Sequence, residues 1–465
     1  MNANVNQVGT LPVAVIGGGP VGLAAAAHLL ASGVKVRLYE AGDTIAENIR
    51  DWRHVRLFSP WRYCIDEAAT KLLEAHGWRL SAPDALPTGG DLIDDYLEPL
   101  AALPEMAPVI EMNARVVAVG RHGIDKVVSK GRESRPFALT VTTAEGTRHD
   151  LVRAVIDASG TWSMQNPLGS GGLAAEGETM FGDRIAYGIP DVLKRDRTIY
   201  AGRSAVVIGA GHSAANALLD LVALAKAEKG TSITWVTRGT DLSRIYGGGL
   251  ADQLPARGEL GADVKDLVDH GRVSLITGFS TYAVRGAEGK LLVDGETAAG
   301  RATIGPFDRI IAATGQRPDL AMTRELRLEL DPWLESTRAL GPLIDPNVHS
   351  CGSVPPHGHR ELAHPESGFY TVGIKSYGRA PTFLLLTGYE QVRSVAAALA
   401  GDIEAAEDVR LVLPETGVCL AISVTADAEA GCCGGPAPVE AEACCAADAK
   451  AKAEGKSGCG CRAAA

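Results

Sequence analysis

Aromatic side chains are scarce in this sequence. Phe, Trp and Tyr together make up 5% of its 465 residues, so a packed interior has to be built mainly from Ala, Val, Leu and Ile. An excess of positive charge is lacking as well, because 45 Lys and Arg stand against 56 Asp and Glu and the net charge is −11. This balance argues against general binding to nucleic acid or to an anionic membrane, which requires excess Lys and Arg.

The N-terminal region lacks the features of a membrane span or a secretion signal. Residues 8–34 contain no Asp, Glu, Lys or Arg, and such a run is long enough to cross a bilayer. The run is interrupted by Gly-Gly-Gly-Pro, contains His28, and has no Lys or Arg before it, unlike a signal peptide. A buried strand, turn and helix explain the run better, and we expect a soluble, cytoplasmic protein with no membrane partner.

Glycine, by contrast, is abundant, with 54 residues, and a first group of glycines follows the apolar strand VAVI. Gly17, Gly19 and Gly22 form G-x-G-x-x-G, and the next strand ends at Glu40. In this fingerprint the first glycine allows a tight turn, the second lets a pyrophosphate approach, and the third lets the helix pack on the strand. Glu40 stands where a ribose hydroxyl needs an acceptor. We therefore expect FAD at this unit.

A second unit of the same kind begins about 190 residues later. Gly209 and Gly211 take the first two glycine roles and Ala214 takes the third, which the fingerprint tolerates. The following strand ends in Arg238, a cation suited to a 2′-phosphate, so we expect NADPH rather than NADH here. A solvated surface position is the alternative for Arg238. Two fingerprints in strand–turn–helix context are a stronger signal than one.

Each unit is followed by a strand that ends in small residues. These are Ser159 and Gly160 after the first unit, and Thr314 and Gly315 after the second. Small residues permit close approach of the backbone to a dinucleotide, so we expect the two strand ends to lie beneath the two cofactors.

A late helix is predicted over residues 382–400, with Pro381 at its start and Gly401 at its end. The N-terminus of such a helix could stabilise the negative charge of a reduced flavin. Lys375 and Ser376 come just before this helix and are candidates for contacts with the flavin edge.

The two-unit arrangement resembles the flavoprotein monooxygenases and their thioredoxin-reductase-like relatives. The resemblance rests on GGGPVG with Glu40, GAGHSA with Arg238, and the ATG motif at 313–315. It implies an α/β fold of two Rossmann-like domains, with an NADPH domain inserted into an FAD domain. The expected boundaries are 10–165 and 341–405 for the FAD domain, 166–340 for the NADPH domain, and 406–465 for a flexible Cys-rich tail.

The resemblance also implies candidates near the flavin, in the segment that follows the first unit. These candidates are Trp52, His54, Arg56, Ser59 and Trp61. His54 and Arg56 are the stronger candidates for polar contacts with flavin or substrate, whereas packing is the favoured role of the two Trp residues. Lys375 completes the predicted catalytic set. His359 and His364 are further acid–base candidates, although lone histidines in loops are more often surface residues.

Six of the nine cysteines lie in the last part of the chain, as close pairs. They are Cys432, Cys433, Cys444, Cys445, Cys459 and Cys461. Thiolates prefer soft acceptors such as zinc, monovalent copper and, by the same argument, trivalent arsenic or antimony. We expect this tail to capture such a ligand; the alternative is a solvated tail whose cysteines merely oxidise.

The tail, the SRIYGGG loop at 243–249 and the GFYTVGIKSYGRAPTFLLLTGYEQVR run together resemble flavin-dependent monooxygenases encoded with arsenic-resistance genes. This resemblance implies an NADPH-dependent FAD monooxygenase that oxidises a trivalent metalloid with molecular oxygen, through a flavin hydroperoxide. Two alternatives stay open: an NADPH-dependent disulfide or metal-ion reductase, and a flavin sensor whose tail sequesters metal. A dithiol reductase normally places two cysteines beside the flavin, whereas Cys64 and Cys351 stand alone in the sequence.

Overall fold

The structure, a computed structural model, describes residues 8–247, 254–349 and 354–411. Its strands are β1 (Val13–Ile16), β2 (Val36–Tyr39), β3 (Ile110–Glu111), β4 (Arg115–Arg121), β5 (Phe137–Thr143), β6 (Gly146–Val152), β7 (Ala154–Asp157), β8 (Ile185–Tyr187), β9 (Ser204–Ile208), β10 (Ser232–Val236), β11 (Ser274–Ile276), β12 (Ser280–Ala287), β13 (Lys290–Thr297), β14 (Gly300–Phe307), β15 (Arg309–Ala312) and β16 (Phe369–Thr371).

The helices vary from one turn to 16 residues. The α-helices are α1 (Pro20–Ala31), α2 (Glu47–Arg50), α3 (Glu67–Ala75), α4 (Gly89–Leu92), α5 (Glu98–Ala101), α6 (Arg197–Tyr200), α7 (His212–Ala227), α8 (Ser243–Tyr246), α9 (Pro255–Asp269), α10 (Gly341–Ile344), α11 (Leu385–Ala400) and α12 (Ile403–Glu407). A π-helical turn joins α4 to α5 at Ile93–Leu97, and short 3-10 turns occur at Trp61–Tyr63, Ala107–Val109, Gly182–Arg184, Ala321–Thr323 and Gly373–Tyr377.

Two parallel five-stranded sheets form the framework. The first has the order β16-β7-β1-β2-β3 and the second the order β11-β10-β9-β15-β8. Every residue of β1 and of β7 is buried. Apart from Asp157 at the end of β7, these strands are continuous apolar runs rather than alternating patterns, because helices or other layers cover both faces of a parallel sheet.

The second sheet is inserted into the first along the chain. Strands β8 to β15 follow β7, and the chain then returns to place β16 beside β7 in parallel. Each sheet is accompanied by a three-stranded antiparallel sheet, β4-β5-β6 and β12-β13-β14. The predicted α/β fold of two dinucleotide-binding units, one inserted into the other, is confirmed; the exact domain boundaries remain predictions.

The N-terminal apolar run folds as the sequence predicts. Residues 8–34 contain β1, the glycine turn and α1, and α1 is followed by Gly33 in the left-handed region at φ +69°. In the part of the chain that the structure describes, no helix combines the length and the apolar character needed to cross a bilayer.

The late helix begins three residues after the predicted position. Helix α11 starts at Leu385, and the preceding Leu384 is extended, at φ −123° and ψ 149°. Thr382 is buried, and its hydroxyl donates to the Ile344 carbonyl oxygen at 3.4 Å, which holds this approach segment against α10. The predicted end is confirmed, because Gly401 adopts the left-handed conformation at φ +88°.

A buried ionic cluster fastens the antiparallel sheet β4-β5-β6 to the loop before β16. The Glu366 carboxylate pairs with Arg121 at 2.7 Å and with Arg132 at 2.6 Å, and all three side chains are at most 4% exposed. Glu366 also accepts a hydrogen bond from the Arg327 main-chain N–H at 3.0 Å. Burial by itself raises the pKa of Glu366, but the bonds from Arg132 and Arg121 outweigh burial and hold this pKa below its ordinary value of 4.5.

We expect Glu366→Gln to destabilise the fold by ~3–5 kcal/mol at pH 7, because it leaves two buried guanidinium groups without their counter-charge. The folded-state pKa lies below the unfolded one, so the stabilisation is full above pH ~4.5 and is lost as pH falls through the folded pKa. The difference between the two proteins in urea unfolding should therefore shrink at more acidic pH.

Glu335→Gln is the matched control, since Glu335 pairs with Arg379 at 2.9 Å but the two side chains are 30% and 37% exposed. Its cost should stay within ~1 kcal/mol. Equal costs for the two substitutions would contradict a special role of the buried cluster.

Candidate active site

The first glycine turn is shaped by contacts that leave no room for side chains at two of its three glycines. Gly17 has φ +105°, and a Cβ there would lie 2.7 Å from the Ala158 carbonyl oxygen. A Cβ on Gly22 would lie 1.9 Å from the Gly17 carbonyl oxygen, so α1 packs directly onto the turn. A Cβ on Gly19 would meet no protein atom within 4 Å. The turn therefore presents open space at the N-terminus of α1, where a diphosphate group can approach.

A second helix N-terminus meets the first. A Cβ on Gly388, in the first turn of α11, would lie 2.7 Å from Val21 Cγ2, and one on Gly373 would lie 3.4 Å from Val21 Cβ. Thr387, also in that turn, is 1% exposed, and its hydroxyl has no hydrogen-bond partner among the described residues. Two helix N-termini and an unsatisfied hydroxyl suit a ligand with negative charge and polar acceptors. These features fit FAD.

Glu40 holds the glycine turn in place. Its 8%-exposed carboxylate accepts from the Gly18 N–H at 2.6 Å through Oε2 and from the Gly42 N–H at 2.8 Å through Oε1. A carboxylate oxygen can accept more than one hydrogen bond, so both oxygens retain capacity for ribose hydroxyls. The predicted contact with ribose stays a prediction; the structure adds a positioning role.

Lys375, predicted as a catalytic group at the flavin edge, lies in a buried ion pair. Its ammonium is 2.7 Å from Asp157 Oδ2, with side-chain exposures of 2% and 0%. It also donates to Ser159 Oγ at 2.9 Å, and Ser159 Oγ donates to Asp157 Oδ1 at 2.6 Å. Ser159 itself lies directly under Gly17, whose Cβ would be 3.0 Å from Ser159 Cα. This placement favours a positioning role for Lys375 beneath the glycine turn.

Ser376, predicted as a flavin contact, lies in a buried hydrogen-bond chain. Its hydroxyl bonds to the Gly373 carbonyl oxygen at 2.7 Å and to the Gln391 side chain at 2.9 Å. Gln391 Nε2 also lies 3.1 Å from His357 Nε2, and His357 Nδ1 lies 2.9 Å from the Pro355 carbonyl oxygen. Because a carbonyl can only accept, His357 carries its proton on Nδ1 and accepts from Gln391 through Nε2. Ser376 thus helps to fix the turn before α11.

His54 and Arg56, the other predicted catalytic residues, differ in environment. Burial lowers the pKa of His54, the Asp191 charge opposes that shift, and Nε2 has no partner among the described residues. A neutral imidazole is therefore expected at pH 7. Arg56 is exposed and forms a main-chain bridge with Thr88. The catalytic roles of both residues stay predictions.

The other candidates of this segment pack against protein. Trp61 is 8% exposed within the main core, as the packing alternative predicts. The rings of Trp52 and Trp162 lie 6.4 Å apart. The Ser59 carbonyl oxygen accepts from Cys64 Sγ at 3.4 Å.

The loop histidine His364 is buried rather than on the surface. It is 8% exposed, and Nδ1 accepts from the Glu329 N–H at 3.3 Å. Burial lowers its pKa to about 4, so it is neutral and holds no proton to donate as a cation at pH 7. His359, the other loop candidate, is half-buried, and its main-chain N–H donates to Ser394 Oγ at 2.9 Å.

The second glycine turn repeats the geometry of the first. Gly209 has φ +139°, and a Cβ there would lie 2.1 Å from the Ala313 carbonyl oxygen, whereas a Cβ on Gly211 would meet nothing within 4 Å. Ala214 is fully buried in α7. Arg238, just after β10, is exposed and donates from Nη1 to the Ser170 carbonyl oxygen at 2.6 Å. The open position at Gly211 fits a second dinucleotide.

Thr314 and Gly315 lie where the chain crosses between the two units. Thr314 Oγ1 donates to the Asn166 carbonyl oxygen at 2.7 Å, and the Asn166 N–H donates to the Gly315 carbonyl oxygen at 2.9 Å. Gly315 has φ +82°. The structure gives these residues a role in pairing the two crossover segments; their predicted closeness to NADPH stays a prediction.

Cys64 is buried in this fold, and its thiol resists ionisation. It is 0% exposed, and burial raises the pKa of its thiol to about 12. Cys351 and the six tail cysteines lie outside the described residues. Across residues 8–247, 254–349 and 354–411, no three His, Cys, Asp or Glu side chains are arranged to hold a metal ion.

Sequence reasoning missed Asp157, which ends the buried strand β7 and pairs with Lys375. The available signal was an acidic residue directly after the apolar run AVI, since a buried charge requires a partner.

Comparison with known proteins supports the interpretation of the first unit. Residues 12–86 match the family model described as FAD dependent oxidoreductase. No curated protein matches the sequence. The match confirms the predicted FAD-dependent oxidoreductase class.

Solved structures share the fold across most of the chain. A bacillithiol disulfide reductase from Bacillus cereus is 19% identical with a TM-score of 0.60, over 84% of this chain and 99% of that chain. A cadaverine monooxygenase from Erwinia amylovora, solved with FAD, is 14% identical with a TM-score of 0.59, over 90% and 99%. An ornithine N-hydroxylase from Kutzneria sp. 744, solved with reduced FAD and NADP+, is 14% identical with a TM-score of 0.54, over 85% and 98%. This likeness confirms the predicted fold. The NADP+ in the ornithine N-hydroxylase structure agrees with the NADPH predicted at the second glycine turn.

We expect Gly19→Val to abolish FAD binding while the protein still folds. The new side chain meets no protein atom at its Cβ, but it occupies the space in front of the α1 N-terminus. Absorbance of the purified protein measures flavin content, and circular dichroism measures folding. Gly171→Val is the matched control, because a Cβ at Gly171 is equally free of contacts. Full flavin content in Gly19→Val would rule out a diphosphate at this turn.

We expect Lys375→Met to weaken FAD binding at least about tenfold, because it leaves the Asp157 carboxylate buried, unpaired and beneath the site of an anionic ligand. The double variant Asp157→Asn, Lys375→Met removes both charges and should recover most of the affinity. FAD titration of the apoprotein by fluorescence measures the effect, and urea unfolding of the apoprotein reports any purely structural loss. If the double variant binds FAD no better than the single one, Lys375 contacts the cofactor itself.

Proposed function

We propose that the chain is an NADPH-dependent FAD monooxygenase that oxidises a trivalent metalloid such as arsenite, methylarsenite or antimonite. In the overall reaction NADPH, a proton, O2 and the metalloid give NADP+, water and the pentavalent product. NADPH supplies two electrons and the metalloid supplies two, which together reduce O2. One oxygen atom goes to the metalloid and the other to water.

The observation that favours a monooxygenase over a disulfide reductase is the burial of Cys64. Exchange with a disulfide requires an accessible thiolate, whereas Cys64 is fully buried with a pKa of about 12. It cannot serve as half of a redox-active pair at neutral pH. Oxygen transfer to a soft lone pair needs no protein thiol.

Bound FAD would accept electrons from NADPH and activate oxygen, and the protein would supply binding, orientation and exclusion of water. Gly19, Glu40 and the α11 N-terminus would hold it, with Lys375 and Asp157 fixing the turn beneath. Neutral His54 offers an imidazole that can accept a proton. Gly211 and Arg238 would hold NADPH.

The choice of a metalloid as the substrate is supported by the thiol pairs of the C-terminal tail and by the resemblance described above. Three close cysteine pairs suit a soft trivalent centre. These residues lie outside the described part of the chain, so the tail's role as a capture arm remains part of the proposal.

The test is NADPH oxidation and oxygen uptake by the FAD-loaded protein, with arsenite, methylarsenite, antimonite or low-molecular-weight disulfides, followed by speciation of the product. We expect oxygen uptake and NADPH oxidation in equal amounts, with pentavalent product, and unchanged rates in Cys64→Ala. Replacing the six tail cysteines by serine should lower the rate only at low metalloid concentration, because a capture arm raises the local substrate concentration. NADPH oxidation that depends on a disulfide and not on oxygen would overturn the proposal in favour of the reductase.

We expect Arg238→Ala to raise the Michaelis constant for NADPH by about 10- to 150-fold, the equivalent of losing a charge-assisted hydrogen bond of ~1.5–3 kcal/mol. The constant for NADH should barely change, since NADH has no 2′-phosphate. Steady-state kinetics with the two nucleotides provide the measurement and its internal control. Equal losses for both would make Arg238 a structural residue.

A further inference from the structure

A cavity of about 330 Å³ lies away from both glycine turns. One wall comes from segments next to the first sheet and includes Asp51 and Trp162. The other comes from the edge strand β8, from α6 and from the start of β15, and includes Tyr200 and Arg309. Residues 17–22 and 209–214 do not line it. Its volume is at the lower end of the ~300–1,000 Å³ that ligand sites occupy.

The second-sheet wall has the character of a carboxylate-binding site. Tyr200 is 2% exposed, and burial raises the pKa of its phenol, with Asp196 adding to the rise and Arg309 opposing it. The hydroxyl therefore keeps its proton at neutral pH and can donate. Arg309 donates from Nη1 to the Asp183 carbonyl oxygen at 3.0 Å, and it makes no ion pair with any side chain in the described ranges.

The opposite wall carries a negative charge. Asp51 accepts from Trp162 Nε1 at 2.7 Å through Oδ2. Like Arg309, the carboxylate forms no direct ion pair within the part of the chain that the structure describes, but together with the hydrogen bond from Arg195 to Asp196 its charge contributes to the raised pKa of Arg195 on the same lining. This leaves an anionic group facing the cavity from the first unit while a cationic group faces it from the second.

Of the other two arginines in the lining, one pairs with a carboxylate, whereas the other, like Arg309, donates to main-chain carbonyl oxygens. Arg195 pairs with Asp196 at 3.2 Å. Arg184 donates to the carbonyl oxygens of Asp308 and Gly289. Asp183 is exposed and adds a second carboxylate to the wall. A ligand with a single charge would pair with only one of the two groups, Arg309 or Asp51.

We propose that this cavity binds a small zwitterion, an ω-amino acid or a short peptide, as a site separate from the two dinucleotide sites. The carboxylate of the ligand bonds to Arg309 and the Tyr200 hydroxyl, and its ammonium group bonds to Asp51. Such a ligand bridges the two units. The inference does not depend on the identity of the substrate that the flavin oxidises.

The test is isothermal titration of the FAD-loaded protein with zwitterions of several lengths and with a dianion and a dication that match the five-carbon zwitterion in length. The zwitterions are 4-aminobutanoate, 5-aminopentanoate, 6-aminohexanoate and triglycine; the controls are glutarate, a dianion, and 1,5-diaminopentane, a dication. At least one zwitterion should bind with one site per chain, and both controls should bind at least about tenfold more weakly. Absence of binding by every zwitterion, or equal binding by all three charge types, would overturn the proposal.

Variants locate the site. Arg309→Gln and Tyr200→Phe should weaken the zwitterion by about tenfold or more, and so should Asp51→Asn, which keeps an acceptor for Trp162 but removes the charge. Arg197→Gln is the matched control on α6, because Arg197 pairs with Glu228 at 2.8 Å and does not line the cavity. Flavin content and circular dichroism verify folding of each variant. Unchanged affinity in both Arg309→Gln and Asp51→Asn would place the ligand elsewhere.

Discussion

The ion pair between Lys375 and Asp157 is the interaction on which the first unit depends. The fold inserts the whole second unit between β7 and β16, so two neighbouring strands of one sheet are far apart in sequence. Lys375 lies just after β16 and reaches Ser159, 216 residues away along the chain, as well as Asp157. A buried Asp157 carboxylate without the Lys375 ammonium would destabilise the fold. The pairing of β16 with β7 therefore also brings in the positive charge that neutralises Asp157 beneath the glycine turn.

Close packing in the same region constrains the shape of the glycine turn. The Ala158 carbonyl oxygen excludes a side chain at Gly17, the Gly17 carbonyl oxygen excludes one at Gly22, and Glu40 accepts the Gly18 N–H. Only Gly19 faces open space. Rigid surroundings with one open position lower the entropic cost of binding. The second unit repeats the arrangement at Gly209 and Gly211, which is why one fold can present two dinucleotides.

Local patterns made the backbone of the two sites predictable from the sequence. Glycine spacing, buried apolar strands and the terminal Gly401 depend on neighbours a few residues apart, and the structure agrees with them. The start of α11 was placed too early because Thr382 is held by Ile344, a tertiary contact that no local pattern shows. Tertiary contacts also set the buried state of His364 and the pairing of Lys375 with Asp157, of which the sequence shows only an acidic residue after the apolar run AVI. Each depends on segments that are far apart in the sequence and meet in the folded chain.

The polar groups of the site are held by buried hydrogen bonds and ion pairs, and this limits the chemistry that they can perform. Lys375 is committed to Asp157, Ser376 to Gln391 and His357 to Pro355 and Gln391, so none of them can act as a mobile acid or base without breaking a buried network. Cys64 cannot ionise near neutral pH. A site whose donors are fixed by hydrogen bonds can orient a redox cofactor. Because its thiol stays protonated, Cys64 cannot take part in thiol–disulfide exchange. The contribution of these residues is therefore positional and electrostatic.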